Sequence, residues 1–178
     1  MLAKEFTMDE LKEKIREIQD FPIPGISFKD VTTLFQDKEA FSFTIKKLAN
    51  LSRDKNIDMV AGPEARGFLI GTPLAYELGI GFVPIRKSGK LPCEVLTGEY
   101  ELEYGTAVLE IHRDAIKPGQ RVLVVDDLLA TGGTIFTTID LIEKLGGVVA
   151  AVAFIIELTD LNGRKNLSNY DVISLVTY

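Results

Sequence analysis

Short apolar runs alternate along this chain with stretches whose apolar residues recur at helical spacing. The runs predict strands at 57–61, 81–85, 121–125, 148–156 and 172–176. The helical spacing predicts helices at 67–78 and 134–145, with a further helix capped by Asp37. Strands that alternate with helices pair in parallel through right-handed crossovers. Several of the runs are apolar throughout, as expected when helices cover both faces of a sheet. The pattern therefore predicts one α/β domain.

Two regions depart from this alternation. A capping-box pattern at Thr7 and Glu10 begins a stretch of helical periodicity, which predicts an amphipathic helix over 8–20. The prolines of FPIPGISFKD (21–30) then exclude regular helix and predict an extended backbone whose polar groups no sheet pairs. Tyrosine and leucine alternate with glutamate around residue 100, so 98–112 are predicted to form a hairpin or a pair of strands turned near Tyr104.

The composition of the chain indicates which kinds of binding partner it is unsuited to. The chain has 178 residues, 46% of them hydrophobic, and a net charge of −6. These values fit one globular domain over 1–178 and argue against broad binding to nucleic acid or to membrane surfaces, which needs a surplus of Lys and Arg. The single cysteine, Cys93, excludes a disulfide within the chain. The N-terminus is charged and lacks an apolar core, so we expect a cytoplasmic protein.

The stretch VLVVDDLLATGGT (122–134) carries the clearest chemistry. Asp126 and Asp127 follow an apolar strand, where open parallel sheets bind ligands. Paired carboxylates accept hydrogen bonds from two vicinal hydroxyls or bind Mg²⁺ directly or through water. The loop at 130–134 leads into a helix, so its free N–H groups can bind an anion, and Thr131 and Thr134 add hydroxyl donors.

Acceptors for a diol and donors for a phosphate therefore lie a few residues apart, as ribose 5-phosphate requires. The alternative interpretation is an ordinary strand–turn–helix junction with two solvated acids. An aspartate pair after an apolar strand is also typical of P-loop ATPases. Those proteins need GxxxxGK[ST], which this chain lacks.

Basic residues form two further candidates for anion binding. Arg66 follows a strand and lies before Gly67, and its guanidinium suits a phosphate. Arg86, Lys87 and Lys90 crowd one loop, where they repel each other unless an anion binds. The alternatives are an exposed loop arginine and a solubilising loop.

In the proline-containing segment, Phe28 can stack on a flat purine while backbone groups of Ser27 and Lys29 bind the purine edge. The alternative is that Phe28 is an ordinary core residue. The only histidine, His112, cannot make a zinc site alone, and neither it nor Cys93 is assigned a role.

The chain resembles the type I phosphoribosyltransferases. VLVVDDLLATGGT is similar to the phosphoribosyl-diphosphate signature of that family, and DFPIPGISFKD, GPEARGF, VPIRKSGKLP and LEYG resemble family segments in the same order. The LLATGGT form is similar to the members that act on adenine. Hypoxanthine-type members carry an acid at the position of Ala130, whereas xanthine-type members and purine repressors carry an ANGQ-like run.

The resemblance implies a type I phosphoribosyltransferase fold with a mainly parallel central sheet flanked by helices. It implies an N-terminal base-binding segment at 1–36 and a flexible loop or β-hairpin lid at 88–112. The implied reaction transfers ribose 5-phosphate from 5-phosphoribosyl 1-diphosphate to adenine, giving AMP and diphosphate. Mg²⁺ is the implied cofactor, held mainly by the substrate, with water-mediated contacts to Asp126 and Asp127. A homodimer is implied by basic side chains that reach a neighbouring subunit.

The resemblance also assigns roles residue by residue. Glu103 is the implied catalytic residue, which takes the adenine proton inside a closed lid. The ribose and 5-phosphate are bound by Asp126, Asp127, Ala130, Thr131, Gly132, Gly133 and Thr134. Diphosphate is bound by Arg66, Arg86, Lys87, Lys90 and Tyr104. Adenine is bound by Ser27, Phe28, Lys29 and Leu128. The remaining alternatives are a regulator of this fold that binds 5-phosphoribosyl 1-diphosphate without catalysis, and a phosphoribosyltransferase for another purine.

Overall fold

The computed structural model of the chain describes residues 4–102 and 105–178. Glu103 and Tyr104, the predicted catalytic residue and one predicted diphosphate ligand, lie outside the described residues. The hairpin on which they were placed is present on both sides of them, as two antiparallel strands in register from Val95↔His112 to Leu102↔Gly105.

The described residues form nine strands and six α-helices. The strands are β1 Arg16–Gln19, β2 Ser27–Asp30, β3 Met59–Pro63, β4 Gly81–Lys87, β5 Val95–Leu102, β6 Gly105–His112, β7 Arg121–Leu129, β8 Val148–Glu157 and β9 Val172–Thr177. The helices are α1 Met8–Lys12, α2 Thr32–Gln36, α3 Lys38–Ser52, α4 Arg66–Leu78, α5 Gly133–Lys144 and α6 Gly163–Asn166. Two short 3₁₀ helices lie at Arg53–Lys55 and Thr159–Leu161.

A seven-stranded sheet in the order β5-β6-β4-β3-β7-β8-β9 forms the centre of the fold. Five neighbouring strands of this sheet are parallel: β4, β3, β7, β8 and β9. The β5–β6 hairpin adds an antiparallel edge beside β4. One buried cluster packs α3 and α4 against one face, and another packs α5 against the other. The predicted α/β fold with a mainly parallel sheet is therefore confirmed, and it brings the carboxyl ends of β3, β4 and β7 to one edge.

The N-terminal prediction of a helix over 8–20 was wrong. The helix ends at Lys12, although the Thr7–Glu10 capping box forms as expected. Residues Arg16–Gln19 are instead a strand that pairs antiparallel with Ser27–Asp30. Long-range pairing with the segment after the prolines outweighs the local helical periodicity, and an ion pair between Arg16 and Asp30 closes the end of the ladder. The expectation that no sheet pairs the 21–30 backbone was therefore also wrong for its last four residues.

The acid pair lies within β7, which ends at Leu129, four residues beyond the predicted end at 125. The register with β8 continues through Asp126↔Phe154 to Leu129↔Glu157, so backbone pairing carries the strand past both aspartates. The other boundaries are close to the prediction. Asp37 accepts hydrogen bonds as the cap of α3, and α4 ends before Gly79. No helix among residues 4–102 and 105–178 has the length and apolarity to cross a membrane.

Candidate active site

A cleft of about 320 Å³ opens at the carboxyl edge of the central sheet. Its lining comes from the segment after β3, from the end of β4, from the hairpin and from β7 with the start of α5. The lining residues are Glu64, Ala65, Arg66, Lys87, Tyr100, Leu109, Asp126, Asp127 and Thr134. A surface cleft of about 380 Å³ between α3 and α4 is larger, so chemistry and not size distinguishes the carboxyl-edge cleft.

The two aspartates of β7 are packed against each other at the floor of this cleft. The backbone N–H of Asp127 donates to Oδ1 of Asp126 at 2.9 Å. Burial, and secondly the neighbouring Asp127 charge, raises the pKa of Asp126 well above its usual range. Burial also raises the pKa of Asp127, against the opposing effect of the Arg66 guanidinium. Oδ2 of Asp127 is buried and accepts no hydrogen bond from any described residue. The pair therefore offers acceptor oxygens that the protein itself leaves incompletely satisfied.

Arg66, the first residue of α4, lies against this pair. Its Nε is 2.6 Å from Asp127 Oδ2, without the alignment of a hydrogen bond. The approach depends on Gly67, because a Cβ there would lie 3.2 Å from the Val125 carbonyl oxygen and 3.3 Å from Asp126 Oδ1. The start of α4 therefore packs directly on the end of β7. Arg66, the predicted diphosphate ligand, therefore contacts Asp127, one of the predicted ribose ligands.

The loop predicted to bind the 5-phosphate leads from β7 into α5, which begins at Gly133. Thr134 lines the cleft, whereas Thr131 is exposed. α5 has twelve residues, so its first turn presents free backbone N–H groups and the positive end of a full helix dipole. Ala130 and Gly132 form the intervening turn with backbone alone. The acids, the loop and the helix therefore lie along one wall of the cleft in the same order as in the sequence.

Glu64 organises the basic residues on the opposite wall. Its Oε2 accepts from Nε and Nη2 of Arg86 at 2.9 and 2.8 Å, and its Oε1 lies 3.2 Å from Nζ of Lys90. The backbone N–H of Lys87 also donates to Oε1. Burial would raise the pKa of Glu64, but these hydrogen bonds outweigh it and lower that pKa. Arg86 and Lys90 therefore contact Glu64, while Lys87 lines the cleft itself.

The N-terminal segment reaches the site through Phe28. This half-buried ring lies 5.7 Å from Cζ of Arg66 and packs edge-on against Phe21, with 5.2 Å between ring centroids. The side chain of Lys29 turns away to Glu17 and Tyr178. β1 covers only one edge of β2, so alternate backbone groups of β2 point away from the pair. Leu128 is half-buried and packs against the core cluster on the α3–α4 face.

The sequence had not indicated four lining residues, Glu64, Ala65, Tyr100 and Leu109. Glu64 lies two residues before Arg66, in a segment where the sequence predicts a side-chain role only for the arginine. Tyr100 belongs to the alternating stretch and Leu109 to the second half of the predicted hairpin, but neither pattern shows which strand face meets α5. Tyr100 lies against the start of α5, with its Cδ2 3.7 Å from the position that a Cβ of Gly133 would take.

The described residues contain no group of three or more His, Cys, Asp or Glu side chains able to hold a metal ion. The donor set near the cleft is instead the pair Asp126 and Asp127. Two acids with an unsatisfied buried oxygen fit a hydrated Mg²⁺ that binds with an anionic substrate, and they do not fit a resident metal held by protein ligands alone.

Comparison with known proteins identifies the family to which nearly the whole chain is similar. The family described as "Phosphoribosyl transferase domain" matches residues 31–176. Adenine phosphoribosyltransferase of Clostridium novyi (strain NT) is 62% identical over 94% of this chain and 98% of its own.

Two solved structures share the fold. Adenine phosphoribosyltransferase of Thermoanaerobacter pseudethanolicus superposes with a TM-score of 0.93 at 57% identity, over 97% of this chain and 100% of that one. The Saccharomyces cerevisiae enzyme, complexed with adenine and an imino-altritol bisphosphate, gives 0.91 at 39% identity, over 95% and 98%. The chain therefore belongs to the phosphoribosyltransferase family, within its adenine phosphoribosyltransferase branch.

Proposed function

We propose that the chain transfers ribose 5-phosphate from 5-phosphoribosyl 1-diphosphate to N9 of adenine, giving AMP and diphosphate. The observation that carries this proposal is the meeting of three elements in one cleft. These are the β7 acid pair, the α5 loop, and Arg66 with Phe28 beside it. The acid pair suits a diol, the loop suits a phosphate, and Phe28 suits a flat base. A phosphoribosyl donor together with a purine has all three of these groups.

The acid pair and the loop would hold the sugar. Asp126 and Asp127 accept hydrogen bonds from the ribose hydroxyls, one of them at the unsatisfied Oδ2 of Asp127. Residues 130–134 donate backbone and threonine hydrogen bonds to the 5-phosphate. When the C1–oxygen bond to diphosphate breaks, positive charge grows on the ribose ring, and two nearby carboxylates stabilise it.

The basic residues would hold the diphosphate as it leaves with the bonding electron pair. Arg66 is already at the acid pair and Lys87 faces the cleft, so both are placed to contact it. Arg86 and Lys90 share Glu64, whose carboxylate fixes them beside the same wall. Mg²⁺, bound with the diphosphate, would neutralise part of its charge, with Asp126 and Asp127 contacting its water ligands.

Adenine would bind against Phe28, with backbone groups of Ser27 and Lys29 at its edge and Leu128 beneath. The buried Lys29 side chain is held by Glu17, so only its backbone faces the base. N9 forms the new bond to C1 of the ribose, and its proton passes to Glu103 on the hairpin. We expect Glu103→Gln to lower turnover about 100-fold with little change in adenine affinity, because general acid–base catalysis contributes about that factor.

We propose a homodimer with α4 at the interface. Leu69 and Tyr76 lie seven residues apart on one face of α4 and are 49% and 88% exposed, so they are the apolar side chains that this face offers to a partner. Tyr76→Glu should shift the chain from dimer to monomer in analytical ultracentrifugation. Leu161, 47% exposed at a distant 3₁₀ helix, supplies the matched control Leu161→Glu, which should leave the dimer intact.

The remaining proposals concern organisation and compartment. We propose that 1–178 act as one phosphoribosyltransferase domain, with 1–36 as the base-binding segment and 88–112 as the lid. The contacts of Phe28 with Arg66 and of Tyr100 with the start of α5 support both additions. The single exposed Cys93 fits the reducing cytoplasm.

The test is adenine-dependent release of diphosphate by the purified protein with Mg²⁺ and 5-phosphoribosyl 1-diphosphate. Adenine, guanine, hypoxanthine and xanthine are compared as acceptors. The proposal expects stoichiometric AMP with adenine and at most traces of product with the others. Binding of 5-phosphoribosyl 1-diphosphate without release would overturn it in favour of a regulator, and a preference for another base would overturn the adenine assignment.

A further inference from the structure

The four-residue helix α6 packs directly behind the loop at 130–132. Gly163, its first residue, is buried and has no room for a side chain. A Cβ built on Gly163 would lie 2.1 Å from the carbonyl oxygen of Ala130 and 2.9 Å from Cδ1 of Leu129. The nearer of these is a backbone atom, which cannot rotate away as a side chain can. Gly163 and the loop therefore fix each other's position.

The residue that follows ties α6 to the sheet. Nε and Nη2 of Arg164 donate to the two carboxylate oxygens of Glu157 at 2.8 and 2.6 Å. Nη1 of Arg164 donates to the carbonyl oxygen of Val172 at 3.0 Å. Glu157 ends β8 and is paired in register with Leu129, the residue before Ala130. The guanidinium thus joins β8, β9 and α6 into one support behind the loop.

We propose that Gly163 is a positioning residue for the 5-phosphate site, acting through Ala130, with the Glu157–Arg164 pair holding it in place. This inference rests on the proposed function of the 130–134 loop. Gly163 itself does not face the cleft. Real Cβ atoms essentially never lie closer than 3.0 Å to such a neighbour, so a Cβ at 163 would force the Ala130 carbonyl or α6 to move by at least 0.9 Å. Displacements of about 1 Å in a binding constellation cost up to about 100-fold.

The experiment compares Gly163→Ala with the wild-type chain by isothermal titration calorimetry, using ribose 5-phosphate and inorganic diphosphate as separate probes. The displaced loop should weaken ribose 5-phosphate binding at least about tenfold. Diphosphate affinity should stay unchanged, because the described residues proposed to bind it lie at the start of α4 and at the end of β4 with the loop that follows it. Gly81→Ala is the matched control. A Cβ there meets only the flexible end of Met59, at the amino end of β4, so neither affinity should change.

A second variant keeps the inference testable if Gly163→Ala does not fold. Glu157→Gln preserves the shape but removes the charge that holds Arg164, and should weaken ribose 5-phosphate binding by a smaller factor without affecting diphosphate. Unchanged ribose 5-phosphate affinity in a folded Gly163→Ala, or in Glu157→Gln if only that variant folds, would overturn the inference. So would equal weakening of both probes. Failure of the wild-type chain to bind ribose 5-phosphate would instead remove the proposed function, and this inference with it.

Discussion

Asp127 and Glu157 lie near the carboxyl ends of neighbouring parallel strands, and each is 4% exposed. Their surroundings differ. Glu157 has both oxygens on the Arg164 guanidinium and a further hydrogen bond from Ser174, and hydrogen bonds from Arg164 lower its pKa. Asp127 has one ion pair, with Arg66, at a buried oxygen that accepts no aligned hydrogen bond from any described residue, and burial raises its pKa. Two side chains of equal solvent exposure therefore show opposite pKa shifts, which follow the hydrogen bonds to each carboxylate and the depth at which it lies.

This difference separates a carboxylate held by the protein from one that, in the proposed function, binds a ligand. A buried acid whose acceptors are all filled by the protein favours its ionised form and stabilises the folded chain. A buried acid with an unfilled acceptor destabilises the folded chain until hydroxyl donors bind there. Under the two proposals above, the β8 end supports the loop and the β7 end binds the sugar.

The largest expected effect is on turnover at the β7 end. Asp127→Asn replaces a charged acceptor with a neutral amide, and should lower AMP formation about 100-fold or more, as loss of one preorganised electrostatic contact does. Steady-state kinetics measures this. Asp140→Asn, at an exposed acid on α5, is the control and should retain full activity. Near-normal turnover of Asp127→Asn would remove the acid pair from the mechanism.

At the β8 end the expected effect is on stability. Glu157→Gln should lower the free energy of unfolding at pH 7 by about 1.5 kcal/mol, the lower range for hydrogen bonds to charged groups, since Arg164 is partly exposed. The folded-state pKa of Glu157 is below 4.5, so its stabilisation is present above pH 4.5 and is lost as the pH falls. Urea unfolding of both proteins should converge at low pH. A constant difference across the pH series would contradict the ionic account.

A smaller effect of opposite sign is expected at Asp126. The folded-state pKa of Asp126 lies above 3.8, the pKa of an aspartate in the unfolded chain. At pH values between these two pKa values, the folded chain holds a proton that the unfolded chain has released. Stability therefore falls as the pH rises above 3.8. Asp126→Asn lacks this loss and can still accept the Asp127 N–H. It should match the wild type below pH 3.8 and unfold at higher urea at pH 7. Lower stability of the variant at pH 7 would show that Asp126 supports the fold as Glu157 does.

Local signals in the sequence were enough to predict the order of the acid pair and the loop that follows it, although not the end of β7. The apolar run, the acid pair and the small-residue loop are contiguous, so their order along the chain became their order in the cleft. The Asp37 cap and the end of α4 before Gly79 were predicted for the same reason. Each depends on residues within one turn of the backbone.

Long-range contacts explain what the sequence did not predict. Arg16–Gln19 has helical periodicity but pairs with Ser27–Asp30, and nothing local distinguishes the two outcomes. Glu64 fixes Arg86 from 22 residues away, and Gly163 contacts Ala130 from a separate element. These partners become visible only when the sheet places their strands side by side.

The most direct test of the central claim, that the acid pair binds the ribose hydroxyls, is a double-mutant cycle between Asp127 and the sugar. Ribose 5-phosphate and 2-deoxyribose 5-phosphate are titrated into the wild type and Asp127→Asn by calorimetry. Loss of the hydroxyl should weaken binding to the wild type about tenfold, the value of a hydrogen bond to a charged group, and should hardly affect the variant. An equal loss in both proteins would show that Asp127 does not contact the ribose 2-hydroxyl, and would contradict the account.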